Sequence, residues 1–167
     1  MPSSSILKVV ALAALLGLPT LAAAEDNKPV PACRFTSGDS CPWGEASNLT
    51  LDGKDLSDSS YKAVHMHGTS LKKTNLERVN FQTADLSSAN LAGANLKDGT
   101  LFAANATGAN FAGADLSGVN LTRADLTKAN LQGAVVNKMT LFIHTILDGA
   151  TWTDGRICAA GSLGECK

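Results

Sequence analysis

Aromatic residues are scarce in this chain, 5% of 167 residues, although 44% are apolar. Any core must therefore be built from aliphatic and small side chains. An excess of one charge is also missing. Fourteen Lys and Arg stand against fifteen Asp and Glu, for a net charge of −1. Proteins held to nucleic acid by phosphate contacts carry a basic excess, and imitation of a DNA surface needs a large acidic one. The apolar run Val9–Leu16 is well short of the ~20 residues that span a bilayer. Histidine is limited to His65, His67 and His144, which leaves little for acid–base chemistry.

The first 24 residues read as a secretory signal peptide. Lys8 and the amino terminus give a positive start, Val9–Leu16 an apolar centre, and Gly17 and Pro19 interrupt it. Leu21-Ala22-Ala23-Ala24 then offers the small-x-small pattern that signal peptidase accepts, and Glu25-Asp26 follows. Cleavage after Ala24 removes Lys8 and leaves thirteen basic and fifteen acidic residues, net −2. The four cysteines, Cys33, Cys41, Cys158 and Cys166, all lie beyond the cleavage point. An even count in an exported chain implies disulfides. Zinc sites prefer closer Cys spacing with nearby His, and neither pair has one. Three connectivities are open at this stage.

No catalytic constellation emerges. Phosphate-cradling loops need glycines that open a helix after a strand, and the glycines here follow a different period. Serine and threonine are plentiful, but nucleophilic catalysis needs an adjacent base. Asp85, Asp115 and Asp125 occupy positions otherwise held by Asn, which points to a backbone role. The reading is a non-enzyme with no cofactor. His65 and His67 are the one metal candidate, since both would point outward on one face around an inward Met66 and could hold a borderline ion.

What fills the chain instead is a repeat. From Leu51 every fifth residue through Ile146 is uncharged, twenty positions in all, of which thirteen are Leu. The residue two before is small in the middle of the chain, as in Ala84, Ala89, Ala94, Ala104 and Ala109. The residue just before is often Asn or Asp, as in Asn75, Asp85, Asn95, Asn110 and Asp125. Period five is neither the 3.6 of a helix nor the 2 of a strand. The chain must turn once per repeat to keep the leucines inside, which makes a solenoid. Gly53, Gly68, Gly93, Gly108, Gly113, Gly118 and Gly133, each two residues after an inward position, mark the corners.

Ala84-Asp85-Leu86-Ser87-Ser88, Ala89-Asn90-Leu91-Ala92-Gly93 and Ala124-Asp125-Leu126-Thr127-Lys128 carry the Ala-(Asp/Asn)-Leu-x-x pattern. In this the sequence resembles the pentapeptide-repeat family over about residues 49–151. The resemblance implies an all-β fold, a right-handed quadrilateral β-helix with four repeats per coil and about five coils. At ~4.8 Å per stacked strand the shaft would be roughly 24 Å long. Residues twenty apart would stack, so one expected column is Tyr61, Phe81, Leu101, Leu121, Leu141 and another is Met66, Leu86, Ala106, Leu126, Ile146. His144 would fall in a small inward slot.

Open ends of such a stack need caps. Residues 25–48 are expected to form the first and residues 152–167 the last, with Trp152 over the final coil. Bonded cysteines need Cα atoms within about 7 Å, so ends this far apart favour the local pairs Cys33–Cys41 and Cys158–Cys166. The segment Trp152–Cys166 also looks like the terminal segment of exported bacterial members of the family.

Outward positions carry mostly Ser, Thr, Gly, Lys or Gln. Phe102, Phe142, Ile143 and Leu147 depart from this and form a candidate interaction patch, unless the C-terminal tail folds over them. The sequence therefore reads as an exported structural or interaction module, periplasmic or secreted. Its partner would be a protein or a second copy, with no nucleic acid and no membrane insertion after cleavage. The family offers one alternative, mimicry of DNA toward type II topoisomerases. Residues 50–149 hold nine acidic and nine basic residues, and so lack the acidic face that mimicry needs. Metal handling through His65 and His67 is the other alternative.

Overall fold

The computed structural model describes residues 33–167, so the expected signal peptide at 1–24 lies outside the described residues. The backbone advances by parallel bridges between residues twenty apart, such as Ser40↔Ser60, Glu45↔His65, Thr50↔Ser70 and Asp55↔Asn75. Four such series define four sides, which is the quadrilateral β-helix that the family resemblance implied. The ladder is already running at Ser40 and Glu45, inside the segment read as an N-terminal cap. Cys41 and Ala46 there are buried and hold the inward slots beneath Tyr61 and Met66.

Each side is one repeat. Its inward residue donates its amide one coil up, as Leu91 does to the Asn110 carbonyl (2.7 Å). A tight turn follows, closed by bonds such as Ala94 N to Leu91 O (3.0 Å). The corner two residues past the inward position has positive φ whether or not it is glycine, for example Gly113 at 65° and Lys73 at 55°. Asn and Asp side chains set these corners. The Asn80 oxygen accepts from the Gln82 amide (3.0 Å) and that of Asp125 from Thr127 (2.9 Å). Stacked amides then bond along the shaft, Asn75 Nδ2 to Asp55 Oδ1 (2.9 Å) and Asn95 Nδ2 to Asn75 Oδ1 (3.1 Å). Where threonine replaces alanine in the small slot, its hydroxyl caps a carbonyl of the coil below, as in Thr69 to Ala46 (2.6 Å).

The core is one continuous column stack, wholly buried from Leu56 through Leu131 at the inward positions. Each Leu so placed contributes about 1.5–3 kcal/mol of transfer free energy. Phe35, Tyr61 and Phe81 extend it at the N-terminal end, with ring centroids 5.9 and 5.8 Å apart. Ala106 and Phe111, the smallest and one of the largest inward residues of one coil, are both wholly buried.

The expected register fails in the last coil. Up to Asp115↔Val135 the bridge spacing is twenty, and then Asn120 pairs with Leu141, Asp125 with Ile146 and Asn130 with Thr151. One residue has been inserted at Asn137. The inward residues are therefore Phe142, Leu147 and Trp152, not Leu141 and Ile146, which are 41% and 38% exposed. His144 likewise leaves the expected inward slot. It sits exposed at a corner with φ 56°, and Thr145 is buried in its place.

Both disulfides are local, Cys33–Cys41 with Cα atoms 5.4 Å apart and Cys158–Cys166 at 4.8 Å. The C-terminal one holds a tail that folds back on the last coil. Leu163 pairs antiparallel with Ile146 and Ile157 with Thr151. The tail also takes the Leu147 amide on the Ser162 carbonyl (2.9 Å) and the Gly149 amide on the Cys158 carbonyl (3.0 Å). Among the described residues no helix is long and apolar enough to cross a membrane.

Candidate functional surfaces

The four residues of the expected patch are scattered by the register shift. Phe142 turns inward and packs against Trp152, ring centroids 5.3 Å apart. Leu147 is wholly buried, Phe102 is half-buried, and only Ile143 stands out, at 53% exposure. The sequence reading missed the residues that do face outward at this end, Val135, Met139 and Leu141. Val135, Leu141 and Ile146 occupy bridge positions that hold Asp115, Asn120 and Asp125 one coil earlier. The last coil thus exchanges its corner amides and acids for apolar side chains.

The tail covers only part of that coil. It forms bridges to the sides that begin at Ile146 and Thr151, and touches the Leu141 side through one bond, Gly164 N to the Thr145 carbonyl (2.8 Å). On the other two sides, the amides of Val136, Phe142 and His144 donate no hydrogen bond among the described residues. Their equivalents one coil down, Leu116, Leu121 and Arg123, donate to Val135, Leu141 and Ile143. An apolar rim beside unpaired strand-like backbone is a surface suited to protein contact.

A second surface runs up the side that carries Glu45, His65 and Asp85, stacked by consecutive bridges. Met66 is wholly buried, and His65 and His67 on either side of it are exposed. His67 Nδ1 lies 2.9 Å from Ser87 Oγ, which donates to Asp85 Oδ1 at 2.6 Å. Partial burial of Asp85 works against its charge. The Ser87 hydroxyl and amide, with His67 and His65 nearby, outweigh this and hold its carboxyl below the ordinary pKa. A serine whose proton is given to a carboxylate is not being activated by the histidine, so this trio is not a nucleophilic triad. Among the described residues no group of three or more His, Cys, Asp or Glu side chains is gathered to hold a metal.

A few other charges are locally paired. Arg78 bonds Asp58, its coil neighbour (2.6 and 2.8 Å), and also Glu77. Lys72 meets Asp52 at 3.4 Å. The Arg78 hydrogen bond holds the Asp58 carboxyl below its usual pKa, and the Ser70 hydroxyl does the same for Asp52. These pairs are exposed, and each contributes little to stability.

Comparison with known proteins agrees with this architecture. Residues 65–101 and 100–137 match the family described as pentapeptide repeats, with eight copies. Among solved structures, a pentapeptide repeat protein of the Arabidopsis thaliana thylakoid lumen is 28% identical, with a TM-score of 0.50 over 73% of this chain and 70% of that one. QnrB1, a plasmid-mediated fluoroquinolone resistance protein, is 23% identical with a TM-score of 0.48, and the match spans 72% of this chain but only 63% of QnrB1. HetL, a protein involved in heterocyst differentiation regulation in the cyanobacterium Nostoc, is 21% identical with a TM-score of 0.32 over 94% of this chain and 99% of its own. No curated protein matches the chain.

Proposed function

Since the chain is a pentapeptide-repeat protein, we propose that it is an exported, non-catalytic module of the cell envelope that works through protein contacts at its C-terminal coil. The observation that carries the reading is the apolar rim of Val135, Met139, Leu141 and Ile143 beside unpaired backbone. Elsewhere exposed large apolar side chains are scattered, as at Trp43 and Leu49 near the N-terminal end, and the middle coils present mostly polar side chains. Export is supported by the leader sequence and by two disulfides, which persist in oxidising compartments. The relative from the thylakoid lumen is consistent with such a compartment. Mimicry of DNA draws no support from the balanced charges of residues 50–149.

Fractionation of the native host tests the location. A tagged chain is followed with and without residues 1–24, and free thiols are counted in the same samples. A shortened periplasmic or secreted form without free thiols supports the proposal. A cytosolic form with four reduced cysteines sinks it. The contact surface is tested by cross-linking in the same fractions. Leu141→Asp with Ile143→Asp should abolish the cross-linked species while the melting curve is kept.

A further inference from the structure

The histidine side of the shaft adds an imidazole to an ordinary corner: Asp85 and Ser87 repeat the Asp55–Ser57 bond (2.7 Å), and here the serine also meets His67. Ser87 has one hydroxyl proton and gives it to Asp85 Oδ1 (2.6 Å). Its oxygen can then only accept from His67, 2.9 Å away. So Nδ1 of His67 carries a hydrogen, and Nε2, at an exposed position, is the ring nitrogen left to meet a ligand. Asp85 is itself steadied, since Oδ1 also accepts from the Ser87 amide (3.0 Å) and from Asn105 Nδ2 (3.1 Å). A ring nitrogen fixed through a relay to a carboxylate is the arrangement that orients metal-ligating histidines and raises their basicity. His65 stands on the same side, two residues back, with Met66 turned into the core between them. Glu45 lies one coil below His65 and Asp85 one coil above.

We propose that His65 and His67 form a two-imidazole chelate for a late first-row divalent cation, Cu²⁺, Ni²⁺ or Zn²⁺, on this side of the shaft. Imidazole selects these ions, whereas Ca²⁺ and Mg²⁺ take oxygen ligands. Met66 fixes the spacing because its burial forces both neighbours outward. Water completes the coordination. Among the described residues no third His, Cys, Asp or Glu converges on the pair, and the site is open and exchangeable rather than structural. Ser87 is a positioning residue, acting through His67.

The test uses the purified, tag-free protein titrated calorimetrically with CuCl₂ and, separately, ZnCl₂. The expected result is one Cu²⁺ per chain with micromolar affinity, and an electron paramagnetic resonance spectrum that shows two equatorial imidazole nitrogens. His65→Ala and His67→Ala should each weaken binding at least tenfold. Ser87→Ala should weaken it about tenfold, and Ser87→Thr, which keeps the hydroxyl, should restore it. His144→Ala, on a coil roughly 19 Å away, should change nothing. All these positions are at the surface, and unchanged melting curves confirm that each variant folds. No heat above dilution, a spectrum without imidazole nitrogen, or binding that survives loss of both His65 and His67 would overturn the proposal.

Discussion

Asn137 accepts the Gly118 amide on its side-chain oxygen, at 3.2 Å. In the repeats below, the matching amide goes to a backbone carbonyl, as Gly113 does to Gln132 (2.9 Å) and Gly108 to Thr127 (2.8 Å). The Asn137 carbonyl is instead used to close the turn with Thr140 (3.1 Å), and its Oδ1 also accepts from Met139 (2.9 Å). Thr140 then caps the Leu116 carbonyl (2.9 Å) and returns the chain to the ladder. One asparagine therefore absorbs one extra residue.

Deletion of Asn137 is accordingly expected to be tolerated. It restores a spacing of five between Val136 and Phe142, and Phe142, Leu147 and Trp152 remain inward. Chemical unfolding should give a stability within about 1 kcal/mol of the parent, because only partly exposed hydrogen bonds are lost. Deletion of Gly113 should cost several times more, since every inward residue beyond it loses its place. Equal losses for the two deletions would show that Asn137 is not the inserted residue.

Most of the shaft was legible because the period forces it. A leucine every fifth residue has no use in a helix or a flat strand, so the inward positions from Leu56 to Leu131 follow from the sequence, while their stacking twenty apart follows from the family resemblance. The last coil was misread because apolar residues come there in pairs, Val135-Val136, Leu141-Phe142 and Ile146-Leu147. Either member of each pair satisfies a hydrophobic period, so burial alone cannot choose between the registers. A signal did exist. Gly149, at φ 67°, is a corner residue that fits only the shifted register, and the small Thr145 and Ala150 fit the same frame. The unpaired backbone of this coil was not legible, because it depends on how far the tail reaches. The Ser87 relay was not legible either, because it joins residues twenty apart through side-chain geometry.

Tyr61 is the sole tyrosine, and its hydroxyl is buried without a hydrogen-bond partner in the described structure. Ser59 does not close a bond to it, its hydroxyl being directed at the Thr36 carbonyl (3.0 Å). Burial pushes the phenol up to about 12. A folded pKa above the unfolded value near 10 leaves stability intact below pH 10. It removes stability as pH rises through 12. Absorbance at 295 nm should show no tyrosinate in the native protein at pH 10.5, and a normal titration in denaturant. Tyr61→Phe should raise stability by about 1 kcal/mol by removing an unsatisfied polar group. Native ionisation near pH 10 would mean that the hydroxyl is solvated.

The corners allow a second stability test with the usual sign reversed. Gly113 has φ 65°, and a Cβ built there would meet nothing within 4 Å. Gly113→Ala should therefore cost about 1 kcal/mol through backbone conformation alone. Ala103, at φ 54°, holds the equivalent corner on another side. Ala103→Gly should stabilise by a comparable amount, although glycine lowers stability at most positions. Urea unfolding of the two variants measures both, and destabilisation by Ala103→Gly would contradict the corner geometry.

The C-terminal disulfide should act locally rather than on the whole shaft. Cys158 and Cys166 close a short loop around Ser162, whose carbonyl holds the Leu147 amide (2.9 Å) and whose hydroxyl holds the Lys167 amide (3.2 Å). Loss of a loop this short is worth roughly 2–3 kcal/mol in the chain-entropy model, and the coils below keep their own ladder without it. Solenoid stability is a sum over neighbouring repeats, so the tail should fray while Leu56 to Leu131 stay packed. Tryptophan fluorescence separates the two outcomes. Trp43 is 71% exposed and already emits from water, so a red shift reports Trp152 leaving Phe142. Cys158→Ser with Cys166→Ser should give that shift, with faster hydrogen exchange at the Leu147 and Gly149 amides and at no amide of the middle coils. Exchange that rises equally throughout the shaft would show that the tail stabilises the fold as a whole.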